Sequence, residues 1–147
     1  MNMKKVIKFL LVIIWMLLIY YFSSQNGTIS SNMSGGIVDS FIAFLEELGI
    51  MFSDGFINIF GFLIRKLAHF TLYFILGLLW MSFLKEYSLS FRMKIVYTIL
   101  LCLLYACSDE IHQLFVSGRD GKILDVLIDT FGSLFSILFS YTMVWCN

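Results

Sequence analysis

YACSDEIHQLFVSGRDGKILDVLIDTFGS, residues Tyr105–Ser133, carries Asp109, Glu110, His112, Gln113, Arg119, Asp125 and Asp129. Strongly apolar runs flank it, Ile95–Leu104 before and Leu134–Trp145 after. The pattern predicts two membrane helices, over 95–115 and 123–145, turned by the tight VSGRDGK loop (Val116–Lys122). All seven polar side chains then gather at the turn end of that helical pair.

Moving outward, the rest of the chain asks for the same solvent. It has 147 residues, 60% hydrophobic and 14% charged, with a mean hydropathy of +0.90. Ordinary soluble domains carry roughly 25% charged residues. A chain this short cannot bury so much apolar surface in one core. Val6–Phe22 is apolar except for Lys8 and follows Lys4 and Lys5. It exceeds the roughly 7–15 residues of a signal-peptide core, so it predicts a first membrane helix over 6–22. Another is predicted over 62–84, its helix starting as early as Asp54 acting as N-cap.

The connection over 23–54 is the most soluble part. It opens on the turn-rich SSQNGTISSNMSGG. IVDSFIAFLEELGIMF then spaces Phe41, Ile42, Phe44, Leu45 and Leu48 as a short amphipathic helix at the membrane surface. The expected fold is therefore an all-α membrane protein: a four-helix transmembrane bundle with a short amphipathic helix in the first external loop. It forms a single domain over residues 1–147.

Lys4, Lys5, Lys8, Lys85, Arg92 and Lys94 fall on one side of such a bundle, which predicts cytoplasmic N and C termini. Trp80 and Trp145 on that side, and Tyr20 and Tyr21 on the other, read as aromatic belts. A net charge of +0 and the lack of a basic tail argue against nucleic acid. Cys102, Cys107 and Cys146 show no CxxC spacing and read as small apolar residues.

A rise of 1.5 Å per residue places Arg65 near the outer surface, His69 roughly 8 Å below it, and Asp109 and Asp129 about 9 Å below it. Arg65, His69 and Tyr73 share one helix side, as do Tyr105, Asp109, His112 and Gln113, with Glu110 about 100° away. Asp125, Asp129, Gly132 and Ser136 form a stripe, and the small residues let another helix approach closely. Intramembrane charges cost about 2.5–3.5 kcal/mol each at bilayer centre, so these stripes face one another.

Several chemistries suit such a layer. His69, Asp109, Glu110, His112, Asp125 and Asp129 offer N and O metal ligands, but match no standard metal spacing; metal and cofactor stay unassigned. Glu110, Asp109, His69 and His112 are candidates for acid–base catalysis. Arg65, Lys66 and Arg119 could hold a phosphate or carboxylate, with Tyr73, Gln113, Asp125 and Asp129 beside them. Ser24 and Gln25 could add a hydroxyl and an amide, or simply cap a helix end. The competing reading is a lattice of ion pairs that only packs helices or binds a partner.

FSSQ (Phe22–Gln25), RKLAHFTLYFILG (Arg65–Gly77) and SDEIHQLFVSGRDGKILDVLIDTFGS (Ser108–Ser133) together resemble the VanZ-like family of small multi-pass membrane proteins. The resemblance implies a cell-envelope protein with a shared polar site and a link to resistance against the glycopeptide teicoplanin. It implies site roles for Ser24, Gln25, Arg65, Lys66, His69, Tyr73, Asp109, Glu110, His112, Gln113, Gly118, Arg119, Asp125, Asp129 and Gly132. Ser117 stands where the family often has proline, and Asp129 where it often has asparagine. The expected partner is a membrane lipid or lipid-linked cell-wall precursor, which the protein recognises or processes.

Overall fold

A computed structural model describes residues 2–145, with side chains through residue 142; Cys146 and the side chain of Trp145 lie outside what it describes. It contains α1 (Met3–Ser23), α2 (Gly27–Glu47), α3 (Asp54–Leu84), α4 (Phe91–Gln113) and α5 (Ile123–Trp145). All but α2 are long and apolar enough to cross a membrane. Among the described residues there is no strand.

The helix starts obey local chemistry. Asn2, Asn26, Ser53 and Ser90 each cap a helix by accepting a backbone N–H through the side chain. These caps lengthen the expected elements. α3 begins at Asp54, with Ser53 rather than Asp54 as the cap. α4 starts one turn before Ile95 and ends at Gln113.

The largest difference is α2, a 21-residue helix where a turn-rich loop and a short helix were expected. Its serines explain why the turn signals lose. Ser34 and Ser40 donate to carbonyls one turn back, at 3.2 and 2.8 Å, so their hydroxyls need no turn geometry. The helix also gains a partner: Phe41 stacks on Phe60, centroids 5.5 Å apart, and Val38 packs over Gly61. α2 therefore runs antiparallel along the first turns of α3, and the two form a hairpin. Gly35 lies in this helix with open space around it. Gly35→Ala is thus expected to stabilise the fold by about 0.5–1 kcal/mol, read as a raised Tm.

α3 packs on every other helix. Its contact with α5 is the closest, because small residues remove the spacing that side chains would impose. A Cβ on Gly77 would overlap the Ser136 hydroxyl, and one on Gly132 would overlap the Phe70 carbonyl. The stripe Asp125, Asp129, Gly132, Ser136 and Ser140 is buried, as its spacing predicts. Val12, Ile19, Tyr73, Leu76, Trp80, Cys102 and Ala106 form the apolar core. Trp80 therefore belongs to the core rather than to a belt, because it stacks edge-on against Phe83 inside the bundle.

Cross-links fix the heights of the helices. Trp15 donates to the Leu72 carbonyl at 2.9 Å, and Tyr105 to the Met16 carbonyl at 2.5 Å. At one end Lys8 pairs with Glu86 at 2.6 Å. That hydrogen bond holds the Glu86 carboxyl below its ordinary value. The pair therefore contributes at neutral pH and is lost as pH falls through the lowered value. Only half-buried and still reached by solvent, it contributes little.

Candidate functional site

The end of the bundle opposite Lys8 and Glu86 gathers Arg65, Lys66, His69 and Arg119 with the acidic residues of α4 and α5. A cavity of about 780 Å³ opens there between α1, α2, α3 and the loop joining α4 to α5. Its deeper wall is apolar, from Trp15, Ile19, Leu72 and Ile75. Its polar part includes Arg65, Lys66, His69, Asp109, Gln113 and Arg119. The helix hairpin supplies Ser31, Met33 and Ile37 on the facing side.

Arg119 organises the mouth. Its Nε donates to the Gln25 carbonyl and its Nη2 to the Phe22 carbonyl, both at 3.0 Å. A longer bond, 3.4 Å, reaches Gln113 Oε1. Burial lowers the Arg119 pKa, opposed by the nearby Asp109 and Glu110 charges, yet an arginine starts so high that it stays protonated. The guanidinium thereby ties the end of α1 to the loop after α4. Gly118, at φ +74°, lets that loop turn. Gly27 meets the Gly118 carbonyl so closely that a Cβ would overlap it, and its N–H donates to Ser117 at 3.1 Å.

Beneath the mouth lies a buried acidic layer. Gln113 Nε2 donates to Asp109 at 3.1 Å and to Glu110 at 3.2 Å, so one amide orients two carboxylates. Glu110 Oε2 accepts the Lys122 N–H at 2.8 Å, placing a carboxylate at the start of α5. Lys66 pairs with Asp125. His69 Nδ1 stands 3.4 Å from Asp129 Oδ1, and Asp129 is 0% exposed. His69, Glu110 and Asp129 present donor atoms within 4.8 Å of one another.

The structure thus brings together most of the residues singled out by sequence, and sorts them. Arg65 is exposed at the cavity and, among the described residues, donates to Ser31 Oγ alone, at 3.1 Å. Asp109 and Glu110 are both buried although they point in different directions, because α4 is packed between α1, α3 and α5. His112 leaves the layer and stacks on Tyr20, ring centroids 4.7 Å apart. Tyr73 sits in the core with its ring 6.2 Å from Tyr105, away from the cavity wall. Ser24 donates back to the Tyr20 carbonyl at 2.7 Å, and the Gln25 side chain to Tyr21 at 3.2 Å. Those two side chains therefore close the end of α1, while the Gln25 backbone receives Arg119.

Sequence reasoning did not find Ser31 or Trp15 as cavity residues. Ser31 carried no signal, because its role depends on α2 folding back over Arg65. Trp15 could have been found as an indole inside an apolar helix, a group that needs an acceptor when buried.

The order and spacing of these elements match a known family model over residues 8–144, nearly the whole chain. The chain belongs to the VanZ/LLP1 family. Among curated proteins and solved structures, none matches it. Membership joins the FSSQ end of α1, the RKLAH turn of α3 and the acidic ends of α4 and α5 in one VanZ-type membrane protein.

Proposed function

We propose that this protein recognises the polar headgroup of an envelope lipid or lipid-linked cell-wall precursor in its cavity, facing the outer leaflet of the cell membrane with both termini cytoplasmic. The observation that carries this reading is the amphiphilic lining. An apolar wall at Trp15, Leu72 and Ile75 continues into a polar mouth where, among the described residues, Arg65 meets a hydroxyl but no carboxylate. A cavity of about 780 Å³ lies within the range of small-ligand sites, roughly 300–1,000 Å³. An acyl or prenyl chain suits the wall, and a phosphate or pyrophosphate suits Arg65.

Glu110, Asp109 and His69 stand below that headgroup as the candidates for proton transfer during processing; His112, on Tyr20, is a weaker one. Lys66, Gln113, Arg119, Asp125 and Asp129 hold the shape of the site around them. Ser24 and Gln25 support it by ending α1, and Tyr73 supports it from the core. The VanZ relationship makes glycopeptide susceptibility the physiological readout.

The test is teicoplanin susceptibility of cells expressing the wild type, Arg65→Ala or Glu110→Gln at matched membrane levels. The expected result is a wild-type shift that Arg65→Ala removes by weakening headgroup retention. Lipid retained by the detergent-purified protein, measured by mass spectrometry, should fall at least about tenfold in that variant, the equivalent of 1.4 kcal/mol. Loss in Glu110→Gln with lipid retention unchanged would assign chemistry to the acidic layer. A shift kept in both variants would return the site to helix packing, the role that the Lys66–Asp125 pair and the Arg119 bonds already play.

A further inference from the structure

We propose that His69, Glu110 and Asp129 form a binding site for one divalent first-row metal ion, of the zinc or manganese class. Their donor atoms lie within 4.8 Å of one another. Three helices supply them, α3, α4 and α5, so the cluster is a product of the bundle rather than of one acidic turn. Drawing such atoms onto an ion at about 2.0–2.2 Å needs side-chain torsions, not helix movement.

A second observation points to a ligand independently of that spacing. Asp129 is 0% exposed, and among the described residues neither of its carboxylate oxygens accepts a hydrogen bond. Its nearest charged neighbour is His69 Nδ1, at 3.4 Å. Buried polar groups are ordinarily satisfied, and an orphaned carboxylate is among the most costly exceptions. Two free oxygens aimed at an imidazole and a second carboxylate are what an ion would require.

The charge count agrees. Asp109, Glu110 and Asp129 are each 5% exposed or less. Lys66 is committed to Asp125, and Arg119 to the Phe22 and Gln25 carbonyls. Arg65 and Lys122 are exposed at the mouth. Arg119 lies near Asp109 and Glu110, so among the described residues the imidazole of His69 is the cationic group that meets the buried Asp129. A dication supplies the missing positive charge.

The donor set chooses the class of ion. One imidazole and two carboxylates suit zinc, manganese or iron, whereas calcium and magnesium favour all-oxygen shells. Gln113, donating to Glu110 at 3.2 Å, is the positioning residue that fixes one ligand. His69 also lines the cavity, so three protein ligands leave an open coordination position near the proposed headgroup site. The ion site itself stands whether or not the cavity takes a headgroup.

The experiment uses the full chain in detergent micelles, stripped with chelator. Cobalt(II) serves as the spectroscopic probe, followed by competition with zinc(II), manganese(II), magnesium(II) and calcium(II). The expected result is one cobalt ion per chain, with visible ligand-field absorption that zinc displaces and calcium does not. Asp129→Asn and His69→Gln should each weaken binding at least about tenfold, while Glu46→Gln on α2 leaves it unchanged. If either ligand variant fails to fold, the wild-type spectrum and the added-zinc Tm shift decide alone. Absence of cobalt absorption, or affinity retained in well-folded Asp129→Asn and His69→Gln, overturns the proposal. Lipid retention in the same preparations reports on the headgroup reading separately.

Discussion

Gly132→Val should collapse the folded population, because the position faces backbone rather than a movable side chain. A Cβ there overlaps the Phe70 carbonyl and comes within 3.2 Å of the Phe74 nitrogen. Overpacking usually costs about 1–3 kcal/mol, and more when nothing can yield. Here α5 must back away from α3, its closest partner. The consequence reaches the site, since Asp129 lies one turn from Gly132 and opposes His69 across the same interface. Stability and site function should therefore fall together. Thermal unfolding in detergent, beside size-exclusion profiles, measures the first; teicoplanin susceptibility measures the second. Gly35→Ala is the matched control of opposite sign. A Gly132→Val protein with wild-type Tm would mean that the helices do not approach this closely.

Arg119→Ala is expected to release the mouth of the cavity while leaving the helices formed. The side chain makes three hydrogen bonds, to the Gln25 and Phe22 carbonyls and to Gln113. Hydrogen bonds involving a charged group contribute about 1.5–3 kcal/mol, and truncation here leaves carbonyls of the α1 end without their donor. The loss should be local. Hydrogen exchange should accelerate over residues 23–30 and 114–122, where Gly27 and Ser117 also meet, and stay slow in the α3–α5 interface. Arg119→Lys should restore only part of the protection, because one ammonium cannot reproduce a fork aimed at separate acceptors. Full protection in Arg119→Lys would show that charge alone holds the mouth. Uniform loss across all helices in Arg119→Ala would show that the residue supports the whole fold.

How far the sequence reached depended on whether one element sufficed. Four apolar segments long enough to span a membrane are a property of composition along each helix, and they stand in the structure. The stripe from Asp125 to Ser140 was legible for the same reason: a period of 3.6 puts those residues on one face whatever they touch. His69, Asp109 and Asp129 could be placed at similar depth because helix rise is constant.

What failed needed neighbours. The turn-rich start of the 23–54 segment became helix because α3 offered Phe60 and Gly61 to Phe41 and Val38, and no local propensity encodes that partner. His112 shares a helix face with Asp109, yet packing turned it onto Tyr20 of α1. Glu110 looked displaced from the polar face, yet α5 arriving on its side brought it beside Asp129.

By itself, then, the sequence determined the four apolar spans, the small-residue seam and the shared level of His69, Asp109 and Asp129 along their helices, all of which follow from hydrophobicity and helical repeat. Only the tertiary structure decided which charges meet. An ion pair or a three-helix donor cluster depends on distances between segments, and those are fixed by side chains packing across the bundle rather than along any one chain segment.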